Sequence, residues 1–193
     1  MDRKLALTIA SAPTCAVRGE FYRHVSPDID HLQASASGGR WGAPSAYPVL
    51  YLGRPVDSVV IEAYRHLVDD DLDGMPASAV GPRRLLTCEI DVERILDLRD
   101  AETQRATGLD PASLRSDVGA YGPCWRISQV AHQLELWGVI APAAGGMGET
   151  LALFQAHVPV DRWPRLVESS IWSTLPADPR LRLRLADAGD QIA

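Results

Sequence analysis

Along this chain apolar residues recur at two spacings, and each spacing predicts an element. Val56, Val59, Val60, Ala63 and Leu67 fall at i, i+3, i+4, i+7 and i+11, the stripe of an amphipathic helix. Pro55 opens that helix and Asp57 lies in its first turn, where a carboxylate meets the positive end of the dipole. Ile127, Val130, Ala131, Leu134 and Trp137 mark a second helix, expected to stop at Gly138. Residues 163–172 are read as a final helix. Strand patterns fall at 20–25, 49–52, 84–92, 139–141 and 150–154, with residues 94–99 as a further short apolar element. The apolar run 5–10 is expected to be a first strand. Residues 33–44 are small and glycine-rich, hence a loop, and 145–148 a turn. The polar stretch 100–123 predicts a short helix or two within a long surface connection. Beyond Pro176, Leu181, Leu183 and Leu185 alternate with arginines and fit either an edge strand or a mobile tail. The order of elements indicates an α+β fold, a compact mixed sheet with flanking helices.

Composition narrows the class without naming a function. A length of 193 residues reads as a single domain spanning 1–193 and suffices to bury a core. A net charge of −6 argues against a protein that holds a nucleic-acid backbone, which needs a basic surface. Cys15, Cys88 and Cys124 are odd in number and lack metal-ligand spacing, so they are read as reduced thiols of a cytoplasmic protein. The start resembles a signal peptide in outline, but its apolar run is too short. No run approaches the ~18–20 apolar residues that span a bilayer, so no membrane role is expected. His24, His31, His66, His132 and His157 show no metal-ligand spacing, and no metal site is expected.

Candidate chemistry gathers in the first third. Arg40, Tyr51 and Glu62 follow at equal intervals on the glycine-rich loop, the end of an apolar strand and the next helix. Taken singly, each has a bland reading: a surface ion-pair partner, a core tyrosine and a solvated helix glutamate. Trp41 is expected to pack under the loop. Together they place a cation, an aromatic ring and a carboxylate where one cleft can hold a nucleotide's pyrophosphate, base and ribose.

These blocks resemble the RES-domain family, which joins a GRW-type loop to a downstream "lYl" strand and a glutamate on the next helix. The resemblance runs over roughly residues 18–158. It continues through Ser128-Gln129, through Gly138-Val139-Ile140-Ala141-Pro142-Ala143 and through Leu151-Ala152-Leu153-Phe154. It implies an ADP-ribosyltransferase-like RES fold, leaving residues 176–193 as a tail or edge element. It implies a toxin that degrades NAD at the nicotinamide–ribose bond, as glycohydrolase or phosphorylase, with NAD as substrate and no prosthetic group. Mono-ADP-ribosyl transfer to a protein, and a non-catalytic NAD- or partner-binding domain, are the alternatives. The implied partner is a cognate antitoxin of Xre-like helix-turn-helix type that blocks the cleft and carries any DNA binding; self-association stays open.

In that reading Arg40 forks onto the pyrophosphate and Gly38 and Gly39 let the backbone approach it. Tyr51 stacks on the nicotinamide, Glu62 stabilises the oxocarbenium-like ribose, and Arg23 is a second anchor. Two departures stand out. Gly42 follows Trp41 where asparagine is common, and Ala143 follows Pro142 where the family usually has a pocket-lining serine. Ser128 and Thr150 are the candidates to replace that hydroxyl.

Overall fold

The computed structural model describes residues 2–69, 74–115 and 121–182. The chain opens with a helix, α1 (Arg3–Ser11), where the short apolar run predicted a strand. Asp2 decides the matter: its Oδ1 accepts from the amides of Lys4 at 3.0 Å and Leu5 at 3.1 Å, satisfying two otherwise orphaned donors. Ala6 and Ile9, three residues apart, form the buried face. A six-residue run interrupted by Thr8 is too short to separate the two periods, and the capping aspartate was the readable signal.

The remaining elements are β1 (Thr14–Val25), β2 (Val49–Arg54), α2 (Val56–Leu67), β3 (Arg83–Asp97), α3 (Ala101–Thr107), α4 (Pro111–Arg115), α5 (Gly122–Gln133), β4 (Gly138–Pro142), β5 (Glu149–Phe154) and β6 (Arg165–Trp172). The strands form one mixed sheet in the order β1-β2-β5-β4-β3-β6. All neighbours are antiparallel except β3 and β4. β1 also pairs with β3 along most of its length, so β1 to β5 close into a ring of pairings.

Side-chain alternation assigns the two faces. Leu50, Leu52, Ile140, Leu151 and Leu153 point inward and meet Phe21, Cys88, Ile90 and Val92 across the curled sheet. Val49, Val139, Ala141, Ala152 and Phe154 point the other way, against Ile9 of α1 and Ile127, Val130 and Ala131 of α5. Tyr51 packs on this second face with Trp41, which is 1% exposed. α2 lies against β1 and β2, burying Val59, Val60, Ile61 and Ala63.

Three further expectations change. The element at 94–99 is the continuation of β3: Arg94 takes a left-handed turn (φ 55°), and the strand runs on to pair with β4. Trp137 donates its amide to the Arg94 carbonyl at 3.1 Å, so it belongs to the sheet side and not to α5, which ends at Gln133. Gly138 therefore does not stop a helix. A Cβ there would collide with the Ala152 carbonyl oxygen, so glycine permits the close approach of β4 to β5. Residues 165–172, expected as helix, are the edge strand β6 on β3. Their exposure is nearly continuous, which erased the alternation that marks a strand. Leu181 lies in a helical segment at 179–182, whereas Leu183 and Leu185 lie outside the described residues.

Candidate active site

Two successive elements set the geometry. The β2 strand ends at Arg54, a cis Arg54–Pro55 bond follows, and α2 begins at Val56. Tyr51 and Glu62 are thereby placed on adjoining walls, and the loop before β2 folds back over them. The result is a cleft of about 300 Å³, within the usual range for small-molecule sites. Arg23, Gly38, Gly39, Arg40, Tyr51 and Glu62 all line it.

The glycine loop is pinned from beneath. Tyr51 Oη accepts the Trp41 amide at 2.9 Å, and Trp125 Nε1 donates to the Gly39 carbonyl at 2.8 Å. A Cβ on Gly39 would stand 2.8 Å from Tyr51 Oη, so glycine is what lets the ring lie against the backbone. Gly38 sits at φ +100°, the left-handed region. The Gly39 amide donates to the Gly42 carbonyl at 2.9 Å, and the Trp41 amide is taken by Tyr51. The loop therefore uses those two donors to hold its own shape, and positive charge in the cleft comes from side chains. Arg40 supplies one. Its Nη1 donates to the Ser113 carbonyl at 2.9 Å and its guanidinium lies 4.6 Å from the Tyr121 ring centroid. Burial pushes the Tyr51 phenol up, outweighing the Trp41 hydrogen bond, so it stays protonated and retains an O–H donor.

Glu62 is the one carboxylate among the lining residues. Burial pushes its carboxyl up, but the hydrogen bond and charge of His66, with Arg65 and Arg40, prevail and hold it below the ordinary carboxylate range. His66 Nε2 stands 3.4 Å from Glu62 Oε2, one helical turn on. The carboxylate is therefore ionised at neutral pH. Arg23 reaches the cleft from β1 while its Nη1 donates to the Gln33 carbonyl at 2.7 Å. Burial lowers its guanidinium's pKa from the ordinary value.

Ala143 is not on the wall. It is 4% exposed, and its neighbours Pro142 and Ala144 line the cleft instead. Of the two candidate hydroxyls, Thr150 of β5 lines the cleft, whereas Ser128 is fully buried between Tyr47 Oη at 3.1 Å and the Trp125 carbonyl at 3.1 Å. Sequence reasoning missed Tyr22, His24, Ser58, Arg65, His66 and Tyr121, all lining the cleft. Arg65 and His66 were legible, since i+3 and i+4 from Glu62 share its helix face. Tyr121 was not, because only the fold brings the start of α5 to the loop. His24 is held neutral: burial first, then the charges of Arg83 and His66, push it down to about 3. Arg83 can only donate, so His24 Nδ1 accepts from its Nη2 at 3.3 Å and Nε2 carries the proton. Among the described residues no group of three or more His, Cys, Asp or Glu could hold a metal ion, and no helix is long and apolar enough to cross a membrane.

The sequence profile of the RES domain matches residues 15–177. The chain belongs to the RES-domain family. Among its relatives, "NAD(+) phosphorylase MbcT" of Mycobacterium tuberculosis is 27% identical over 153 residues, covering 77% of this chain and 76% of that one. "Probable NAD(+) phosphorylase Rv3189" of the same organism is 30% identical over 161 residues, covering 81% and 74%. The crystal structure of the M. tuberculosis MbcT–MbcA toxin–antitoxin complex matches with a TM-score of 0.77 over 95% of this RES-domain chain and 97% of that one, at 24% identity. That likeness shows the fold: the curled mixed sheet with its flanking helices is the one this family uses.

Proposed function

We propose that this RES-domain protein is an NAD-degrading toxin that breaks the nicotinamide–ribose bond in the cytoplasm, restrained by a cognate antitoxin. The carrying observation is the ionised Glu62 sharing one cleft with Arg40 and Tyr51. Two named NAD(+) phosphorylases among the relatives, and a toxin–antitoxin complex with the same fold, support it.

The chemistry follows from charge. The C1′–N bond breaks with its electron pair passing to the pyridinium nitrogen, so neutral nicotinamide leaves. Positive charge gathers on the ribose, and a lone pair of the acceptor oxygen forms the new C1′–O bond. Glu62 accepts from the ribose hydroxyls and opposes the developing charge in a partly dehydrated site. Arg40 holds the pyrophosphate, stiffened by its stack on Tyr121. Thr150 offers a hydroxyl near the place where the family's serine is absent.

Induced expression in a bacterial host tests the proposal. NAD should fall within the first generations, growth should stop, and E62Q should restore both. Normal NAD with unimpaired growth would refute it. Transfer to a protein would show instead as an ADP-ribosylated band.

A further inference from the structure

The cleft holds one guanidinium beyond the two, Arg40 and Arg23, that serve as anchors for a pyrophosphate. Arg23, Arg40 and Arg65 line it against the single carboxylate of Glu62, in a protein whose net charge is −6. The three guanidiniums come from three elements and are held differently. Arg23 leans on the Gln33 carbonyl and borders a second cavity formed with Ser35 and Ala36. Arg40 stacks on Tyr121 at the loop. Arg65 lies on α2, three residues beyond Glu62 and so on the same helix face. Its Nη1 donates to the Ala144 carbonyl at 3.5 Å, and its stem runs beside Gly145, about 4.0 Å from where a Cβ would stand. The close packing of Gly145 on Ile61 fixes the 142–148 turn against α2 and holds Arg65 at the wall of the cleft.

From this placement we propose that Arg65 forms the acceptor subsite, binding inorganic phosphate beside the ribose that Glu62 holds, and so directs the reaction toward phosphorolysis and away from hydrolysis. The inference rests on the NAD-cleaving reading above. Helical side chains lean toward the helix N-terminus, which brings the Arg65 head back toward the level of Glu62. An anion gripped there lies within reach of C1′, whereas Arg40, on the opposite loop, faces the pyrophosphate. A planar guanidinium is also the donor that suits a phosphate oxyanion pair. In the step, one phosphate oxygen supplies the lone pair for the C1′–O bond and the C1′–N pair leaves with nicotinamide. Electrons balance without a further reactant, and the product is the 1″-phosphate ester of ADP-ribose.

The test is steady-state turnover of NAD at varied inorganic phosphate by wild type, R65K and R65Q, with products separated by chromatography. R65Q should raise the KM for phosphate on the order of 10- to 100-fold, the scale of a charged hydrogen bond lost. The KM for NAD should stay within about twofold and the share of free ADP-ribose should rise. R65K should fall between. An unchanged phosphate KM, or a parallel rise in the KM for NAD, would overturn the proposal. So would a wild-type rate that ignores phosphate, although NAD cleavage itself would then stand. Calorimetric titration with inorganic phosphate alone separates the two failures. Should wild type cleave no NAD, the functional reading falls, but loss of phosphate binding in folded R65Q would still support the subsite. Equal binding in both proteins would refute it.

Discussion

Replacing Tyr51 by phenylalanine separates a structural role from a substrate-binding one. The Tyr51 hydroxyl accepts the amide of Trp41, a residue 1% exposed, and removing it leaves that donor buried without a partner. An orphaned buried amide costs about 1–3 kcal/mol. For a chain of this size about 1 kcal/mol shifts Tm by roughly 2–4 °C, so Y51F should melt about 2–12 °C lower. Urea unfolding should show a lower midpoint at unchanged m, the mark of lost stability without a change in exposed surface. The same close approach makes Gly39 sensitive. G39A places its Cβ 2.8 Å from Tyr51 Oη and 2.9 Å from the ring Cζ that phenylalanine keeps, so it should destabilise wild type and Y51F alike. Because Arg40 adjoins both residues, Y51F should also raise the KM for NAD. An unchanged Tm with activity lost would refute the reasoning, placing the phenol on the substrate and not under the loop.

R40K should keep its fold but bind ADP-ribose at least several-fold more weakly, since lysine loses the bidentate fork; equal affinity by calorimetry would remove Arg40 from the pyrophosphate. Folding lowers the His24 pKa from 6.5 to about 3, so the unfolded chain binds the extra proton first and stability falls as pH drops through that window. H24Q should flatten that fall in urea titrations between pH 7 and 5. Folding also lowers the Glu62 pKa from 4.5, so its contribution is present above that value and fades on further acidification. E62Q should therefore lose less stability than wild type below about pH 4.5. G138A should unfold at markedly lower urea or fail to fold, because the Ala152 carbonyl occupies the Cβ position.

What the sequence disclosed followed the length and purity of each pattern. The β2–α2 block was readable because a buried strand and a regular stripe adjoin, with Pro55 between them. Tyr51 and Glu62 inherited that clarity, since each occupies a fixed place on these elements, and Arg40 was marked by the glycine pair that precedes it. α1 was misread because its run is shorter than the windows that separate periods, and β6 because an edge strand exposed on both faces has no alternation. Tyr121 reaches the cleft only through the fold, at the α5 N-terminus. The neutral state of His24, which lines the cleft from β1, depends on burial and on Arg83 brought beside it by β3. Ala143 went astray by one position: Pro142 and Ala144 line the cleft and Ala143 does not.

Nicotinamide release from NAD by purified wild type and E62Q tests the central claim most directly. Both must first be shown folded by their urea midpoints. Glutamine preserves shape and hydrogen bonding but carries no charge to oppose the oxocarbenium. The account predicts steady release by wild type and a loss of at least ~10²–10³-fold in E62Q, the scale of an electrostatic contact made in the transition state. Equal rates in the two proteins would contradict it, because the ionised carboxylate in the cleft would then have no part in the reaction.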